Sequence, residues 1–426
     1  MSTGFRYRLL LISCLLAGCL VGAAGAASLG TDWNERAPAE GPFLGVMITP
    51  DASLVYTGGN EMFLRSWDGE LHWGGRPARV AVLSNDGKRV VMAVGNKLSV
   101  LDNKGVENWS RNMDGYITAV AVSPNGSFII SADNKGNYNS WGKDGELIAR
   151  FTNQTANAIA YAPGGDLIVV ATDNGLRFLN RKLELIWFDN RTESRDAFIA
   201  IAGDGSTVIT AGFNQVASYN RDGTLNWRKE ITTDPIIDMR CSFDCYTIVV
   251  AGQDKEVVAL DRFGVVHWKY ETGQWVNAVG VSRDASVIAA GGIDRTLYVF
   301  DHSGTLTAKK KTENIIQPRS IAVSSDGRRI AVADQSFLYG FSVTGDAVAP
   351  DVPETYTLPP LNPVSTTNPT TKPTTNPTTV PATTASPPLA TTGTTVRVPA
   401  TTYSPVNPLI LLPALGAAFL LVRRRN

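Results

Sequence analysis

The chain has 426 residues, 39 basic and 39 acidic side chains, and so no formal net charge; this excludes a partner held by a net positive field, such as nucleic acid or an anionic membrane surface. Four cysteines exclude a disulfide framework or a multi-finger zinc protein, and three histidines leave little for histidine-based metal or acid–base chemistry. The length allows two or three ordinary domains or one large all-β domain.

Residues 1–27 carry Arg6 and Arg8, an apolar run from Leu9 to Val21, and small residues at Ala24–Ala27. That is the layout of a secretory signal peptide, with an uncleaved anchor helix as the alternative. Leu16-Ala17-Gly18-Cys19 also resembles the lipobox of bacterial lipoproteins, which makes Cys19 a lipidation candidate.

From there the chain repeats at about 40 residues. A Gly, three residues and a Trp recur at Gly69–Trp73, Gly105–Trp109, Gly223–Trp227 and Gly264–Trp268. Degenerate copies place Ala149 after Gly145, Trp187 after Leu183 and Ala308 after Gly304. Successive anchors are 36, 40, 38, 40, 41 and 40 residues apart, a period that means stacked structural units. Each unit reads as four short strands separated by Asn-Gly or Asp-Gly turns, as in Ile117–Phe151 with Asn125-Gly126 and Asp144-Gly145. Such dipeptides supply the positive φ angles of tight hairpins, so each unit is an antiparallel meander. Four-stranded units at this period predict an all-β, eight-bladed β-propeller over residues 28–349. The eighth unit lacks a clear fourth strand, because Pro350 would interrupt one at 347–349. The segment Gly30–Ala37, GTDWNERA, is similar to GTLNWRKE of the fifth unit, with Trp33 one residue early. Residues 30–37 are therefore expected to supply the missing outer strand and close the ring.

VVALDRFGVVHWKYETG at 257–273 and LSVLDNKGVENWSRN at 98–112 resemble the repeat of quinoprotein-like propellers, with Ala259, Asp261, Gly264 and Trp268 matching its motif. Inner segments such as AVAVSPNGSFIISAD resemble WD-repeat blades equally well. The resemblance implies that Trp33, Trp73, Trp109, Trp187, Trp227 and Trp268 dock between neighbouring blades. It does not carry a function, because propellers host many unrelated activities. The adjacent cysteine pair of quinone alcohol dehydrogenases is missing, and no cofactor is expected. G-x-S-x-G, HExxH and P-loop patterns are also missing from the sequence, and the reading is of a non-enzyme.

Cys241 and Cys245, in CSFDC, flank the first turn of the sixth unit and suit a hairpin disulfide, with two reduced buried thiols as the alternative. His72 and His267 share the position before the Trp, which makes them outer-strand surface residues. Asn60, Asn96, Asp133, Asp173, Asn214, Asp254, Asp294 and Asp334 recur in the loop between second and third strands. They read as turn chemistry, with a polar ligand ring as the alternative. On that rim Tyr116, Trp275, Arg191 and Glu193 are the binding candidates. Asn108, Asn125, Asn153 and Asn190 begin N-x-Ser/Thr sequons, the glycosylation candidates.

Of the 57 residues from Pro350 to Val406, 18 are Thr and 13 are Pro. This composition cannot offset its ordering entropy and predicts a disordered spacer over 350–405, roughly 175 Å long as polyproline helix. It is also the composition of O-glycosylated stalks. The apolar run Pro408–Val422 precedes Arg423-Arg424-Arg425. As a helix it reaches about 22 Å, a marginal membrane span. Residues 406–426 resemble the C-terminal sorting signals of prokaryotic, particularly archaeal, surface proteins. The whole reads as a secreted, membrane-attached, extracytoplasmic propeller that binds a protein or polysaccharide and no nucleic acid. An envelope-assembly scaffold, similar to the eight-bladed lipoprotein of the bacterial outer-membrane assembly machinery, is the second reading. An extracytoplasmic hydrolase or quinone enzyme is the third.

Overall fold

The computed structural model describes residues 28–37, 45–59, 61–78, 80–152, 154–190 and 197–345. Cys19, Asn60, Asn153, Arg191, Glu193 and the segments expected to be signal peptide, stalk and anchor lie outside these residues. Among the described residues no helix is long and apolar enough to cross a membrane.

Eight four-stranded antiparallel sheets follow one another along the chain. We number them blades 1–8 and letter their strands A to D from the centre outward. The A strands are Gly45–Ile48, Val80–Leu83, Ile117–Val122, Ala156–Tyr161, Phe198–Ile201, Ile236–Cys241, Val276–Val281 and Ile316–Val323. The B strands are largely apolar and buried, as in Leu167–Thr172 of blade 4, while the C strands mix apolar and polar residues and are largely buried, as in Gly175–Asn180. They form clusters that each bridge two neighbouring blades, such as Val249, Val257 and Ala259 packing with Ile288 and Phe300. No blade thus buries its apolar faces alone, and stability comes from stacking all eight.

Blades 1–7 run A-B-C-D in sequence order, whereas the D strand of blade 8 is the N-terminal strand Ser28–Arg36. It pairs with Phe337–Thr344, with Ser28 opposite Thr344, Trp33 opposite Gly340 and Arg36 opposite Phe337. This strand ends the last sheet edge, which would otherwise be open to another chain. A second belt ties the A–B turns together. Gly203 N donates to Phe243 O, Phe243 N to Arg283 O at 2.8 Å, Arg283 N to Ser325 O at 3.1 Å and Ser325 N to Pro50 O at 2.9 Å. It runs through blades 5, 6, 7, 8 and 1.

Every D strand carries a one-residue bulge just before the Trp or Ala anchor. In blade 6, Ala259 faces Trp268 and Leu260 faces Val266, leaving His267 unpaired. In blade 1, Leu64 faces Trp73 and Arg65 faces Leu71, leaving His72 unpaired. In blade 8 the extra residue is Asp32, between Thr31 and Trp33. The bulge sends one residue out to solvent and turns the next toward the neighbouring blade. Both histidines are accordingly exposed.

Candidate functional site

The tryptophans dock on glycine. A β-carbon on Gly145 would lie 2.7 Å from Trp109, one on Gly105 2.8 Å from Trp73, and one on Gly264 2.9 Å from Trp227. Gly223 and Gly304 stand in the same close relation to Trp187 and Trp268. The glycine belongs in each case to the C–D turn of the following blade. Three indoles also donate Nε1–H to that turn: Trp109 to Lys143 O at 2.8 Å, Trp227 to Arg262 O at 2.7 Å and Trp268 to His302 O at 3.1 Å. At the closing seam a β-carbon on Gly69 would lie 3.9 Å from Trp33, which stands edge-on to Trp67 with ring centroids 5.7 Å apart. Trp67 Nε1 donates to the bulge residue Asp32 at 3.0 Å. Trp67 was not visible as a seam residue in the repeat pattern, since it precedes the turn that the pattern aligns.

The two alanine copies follow the same size rule in reverse. Leu183 occupies the turn-glycine position of blade 4 with φ 60° and is 3% exposed. It packs in one cluster with Ala149, the small anchor of blade 3. Leu29 and Ala308 share another cluster at the seam of blades 7 and 8. Large on small holds each seam, whichever blade supplies the large residue.

Four of the recurrent Asx residues, Asp133, Asp254, Asp294 and Asp334, accept from amides of their own loops, whereas Asn96 donates to Met113 O and Asp173 accepts from Asn157 Nδ2, each at 3.0 Å. Asp133 accepts from Lys135 N and Asn137 N at 2.9 Å each, and from Gly115 N at 3.0 Å. Asp334 accepts from Ser336 N and Phe337 N at 2.7 Å each. Among the described residues no group of His, Cys, Asp or Glu is arranged to hold a metal. On the same rim Tyr116 is 67% exposed and its amide donates to Asn134 Oδ1, while Trp275 is half-buried. Asn108, Asn125 and Asn190 are exposed, and Asn125 Oδ1 accepts from Ser127 N.

Cys241 and Cys245 are free thiols in the structure, the alternative to the hairpin disulfide. Asp244-Cys245 replaces the Asp-Gly of other blades, and Cys245 takes φ 53° with its side chain fully buried. Ala52 and Ala285 fill the equivalent place in blades 1 and 7 with φ 51° and 59°. The niche accepts only a small inward side chain, and there a cysteine acts as a small apolar residue. A hydrogen bond with Cys241 and burial both push the Cys245 thiol well above its usual range.

The opposite rim, built by the A–B and C–D turns, carries a surface that the sequence did not single out. Tyr246 is 53% and Phe263 64% exposed, with ring centroids 6.5 Å apart. Arg262 lies over the Tyr246 ring at 4.8 Å, and Val265 beside it is 53% exposed. Next to them Arg283 of blade 7 covers Phe243 at 3.5 Å. In sequence these aromatics look like any alternating strand residue; only their place in two turns of one blade leaves them uncovered.

The centre of the ring holds a third group. The A strands of blades 3, 4, 6 and 7 place Ala119, Ala158, Asp238 and Ala278 at one position after a bulge. Asp238 is fully buried and accepts from Arg240 Nη1 at 2.7 Å, Met239 N at 3.0 Å and Val279 N at 3.1 Å. Burial raises its carboxyl above the usual range, and Arg240 and Arg319 oppose that rise. Arg319, from the A strand of blade 8, reaches across to lie 5.0 Å over the Phe198 ring of blade 5. The sequence signal was an acid where sister blades have alanine.

An eight-bladed ring of four-stranded blades with indole-on-glycine seams defines the class: a propeller scaffold of WD-repeat and quinoprotein-like type, a form compatible with protein binding. The model for a family described as outer membrane protein assembly factor BamB matches residues 184–335, and that of the WD domain, G-beta repeat, matches residues 108–141. Actin-interacting protein 1 of Caenorhabditis elegans is 23% identical over 231 residues, covering 52% of this chain and 30% of that protein's length. The crystal structure of the C-terminal WD40 domain of Sif2 superimposes with a TM-score of 0.64 at 14% identity, covering 74% of this chain and 99% of that one. The likeness to that structure is one of fold.

Proposed function

We propose that this is a non-enzymatic cell-surface propeller that binds a protein partner through the rim of A–B and C–D turns, held off the membrane by the 350–405 spacer and attached through 406–426. The observation that carries the binding surface is the exposed Tyr246–Phe263 pair under Arg262. Aromatic and arginine side chains supply most of the energy of protein interfaces, because they bury large area with little rotamer loss. A glycan partner would use the same rings as stacking platforms. The experiment is pull-down from intact envelope with the full-length protein and its Tyr246→Ser/Phe263→Ser variant. Loss of a partner in the variant is the expected result. A partner lost instead in Tyr116→Ser/Trp275→Ser would move the surface to the other rim, and no partner in any case would overturn the reading. Protease accessibility of the propeller on whole cells tests the surface location.

A second reading is an envelope-assembly scaffold. It is favoured by the match over 184–335, which includes the Tyr246–Phe263 surface. A lipid mass on Cys19 of the mature chain would support it.

A further inference from the structure

Blade 8 departs from its sisters at the centre of the ring. In blade 6 the register passes from Ile236↔Gly252 to Asp238↔Ala251, so one residue is extra. In blade 8 it passes from Ile316↔Asp334 to Ile321↔Val332, five residues against two, so three are extra. These are accommodated among Gln317, Pro318, Arg319 and Ser320, and Arg319 takes φ 60°, a conformation unfavourable for a long side chain. The bulge carries the Arg319 guanidinium over Phe198, three blades away.

There it joins Arg240 around Asp238. At most one negative charge stands against two guanidiniums, since Asp238 is the acid that faces both. Arg240 spends one nitrogen on Asp238 Oδ1 and Met239 O, and its side chain is 39% exposed. Among the described residues the Arg319 guanidinium donates no hydrogen bond to a protein acceptor, and its Cζ lies 5.0 Å from the Phe198 ring centroid. Two neighbouring guanidiniums, one with its donors unused within the protein, leave surplus positive charge and free N–H groups that an anion would engage.

We propose that the centre of the ring is a carboxylate-binding site in which Arg319, supported by Arg240, presents a fork to a single carboxylate. A monoanion balances the surplus charge, and the planar guanidinium edge matches two carboxylate oxygens. The carboxylate is that of a small organic acid or of a peptide side chain or terminus inserted into the ring.

The test uses full-length protein with ¹⁵N-labelled arginine and sodium acetate as probe, with sodium chloride at equal ionic strength as the control. The Arg319 Nε–Hε signal is assigned by its loss in Arg319→Gln. Acetate is expected to shift that signal saturably and to raise Tm beyond the effect of chloride, with half-saturation at least about tenfold weaker in Arg319→Lys, which keeps charge but loses the fork. An equal response to both salts overturns the proposal, as does an acetate-specific rise in Tm retained by Arg319→Gln. Should that variant not fold, assignment passes to Arg319→Lys, and a wild-type Arg319 signal unmoved by acetate is itself the refutation. A hexapeptide of neutral side chains with a free C-terminus, against its amide, then separates a peptide source from a small acid.

Discussion

Trp109 and Gly145 meet across the seam of blades 3 and 2 so closely that a β-carbon on the glycine would lie 2.7 Å from the indole, whose Nε1 donates to Lys143 O two residues earlier at 2.8 Å. Gly145 also has φ 81°. Gly145→Ala is therefore expected to lose stability twice, through backbone strain and through displacement of the indole, about 2–4 kcal/mol together. Urea unfolding measures it; a loss below about 1 kcal/mol would mean the indole can move aside freely.

The Ala149–Leu183 seam predicts coupling. Ala149→Trp alone overfills the space beside Leu183, and Leu183→Gly alone leaves a hole. Each is expected to cost about 2–3 kcal/mol. The double variant recreates the common seam and should cost at least about 1 kcal/mol less than the sum. Strict additivity in a double-mutant cycle would refute the size rule.

Ring closure depends on Ser28–Arg36. Trp33→Ala removes the indole between Gly340 and Gly69 and is expected to cost about 3 kcal/mol. Deleting residues 28–36 should also expose the edge of Phe337–Thr344 and yield concentration-dependent dimers by light scattering. An unchanged Tm and a monomeric deletion variant would show that the strand is dispensable.

Tyr138, Tyr161 and Tyr298 are pushed up to about 12 by burial, against 10.0 for a free phenol. In Tyr298 the hydrogen bond to Asp294 adds to the rise. The folded chain keeps these protons while the unfolded chain loses them, so the stability they contribute is full below pH 10 and falls as pH rises through about 12. Absorbance at 295 nm should show these phenolates appearing together with unfolding; their titration near 10 in the folded state would contradict the burial.

The two thiols predict slow chemistry. Cys245 is fully buried and its thiol is raised, so a disulfide reagent should leave Cys245 unmodified until the protein unfolds, whereas the partly exposed Cys241 is open to it earlier. Absence of any reactive thiol after unfolding would show instead that the pair is oxidised.

Much of the blade arithmetic was legible because the repeat is written in local chemistry: Asp-Gly turns, four-residue spacing from Gly to Trp, β-branched runs. The size rule was half legible. Trp73, Trp109 and their sisters stood out, but the glycine each one covers lies in the next blade, some 32–37 residues on, and nothing local ties them. The state of the cysteine pair was left open by the sequence for a related reason. Spacing put two sulfurs at one turn, and the left-handed backbone of Cys245 buries its thiol where it hydrogen-bonds Cys241 as a free thiol.

The three histidines and the 40-residue period were enough, by themselves, to define a ring of antiparallel blades and to argue against a histidine-rich site. They did not locate a surface. Tyr246 and Phe263 are 17 residues apart and meet because one blade brings two turns to the same rim. Arg319 and Asp238 are 81 residues apart and meet because a bulge in blade 8 reaches across the ring. Local sequence fixes the pleat and the turns; which side chains face each other across a closed ring depends on contacts between blades, and those exist only when all eight are in place.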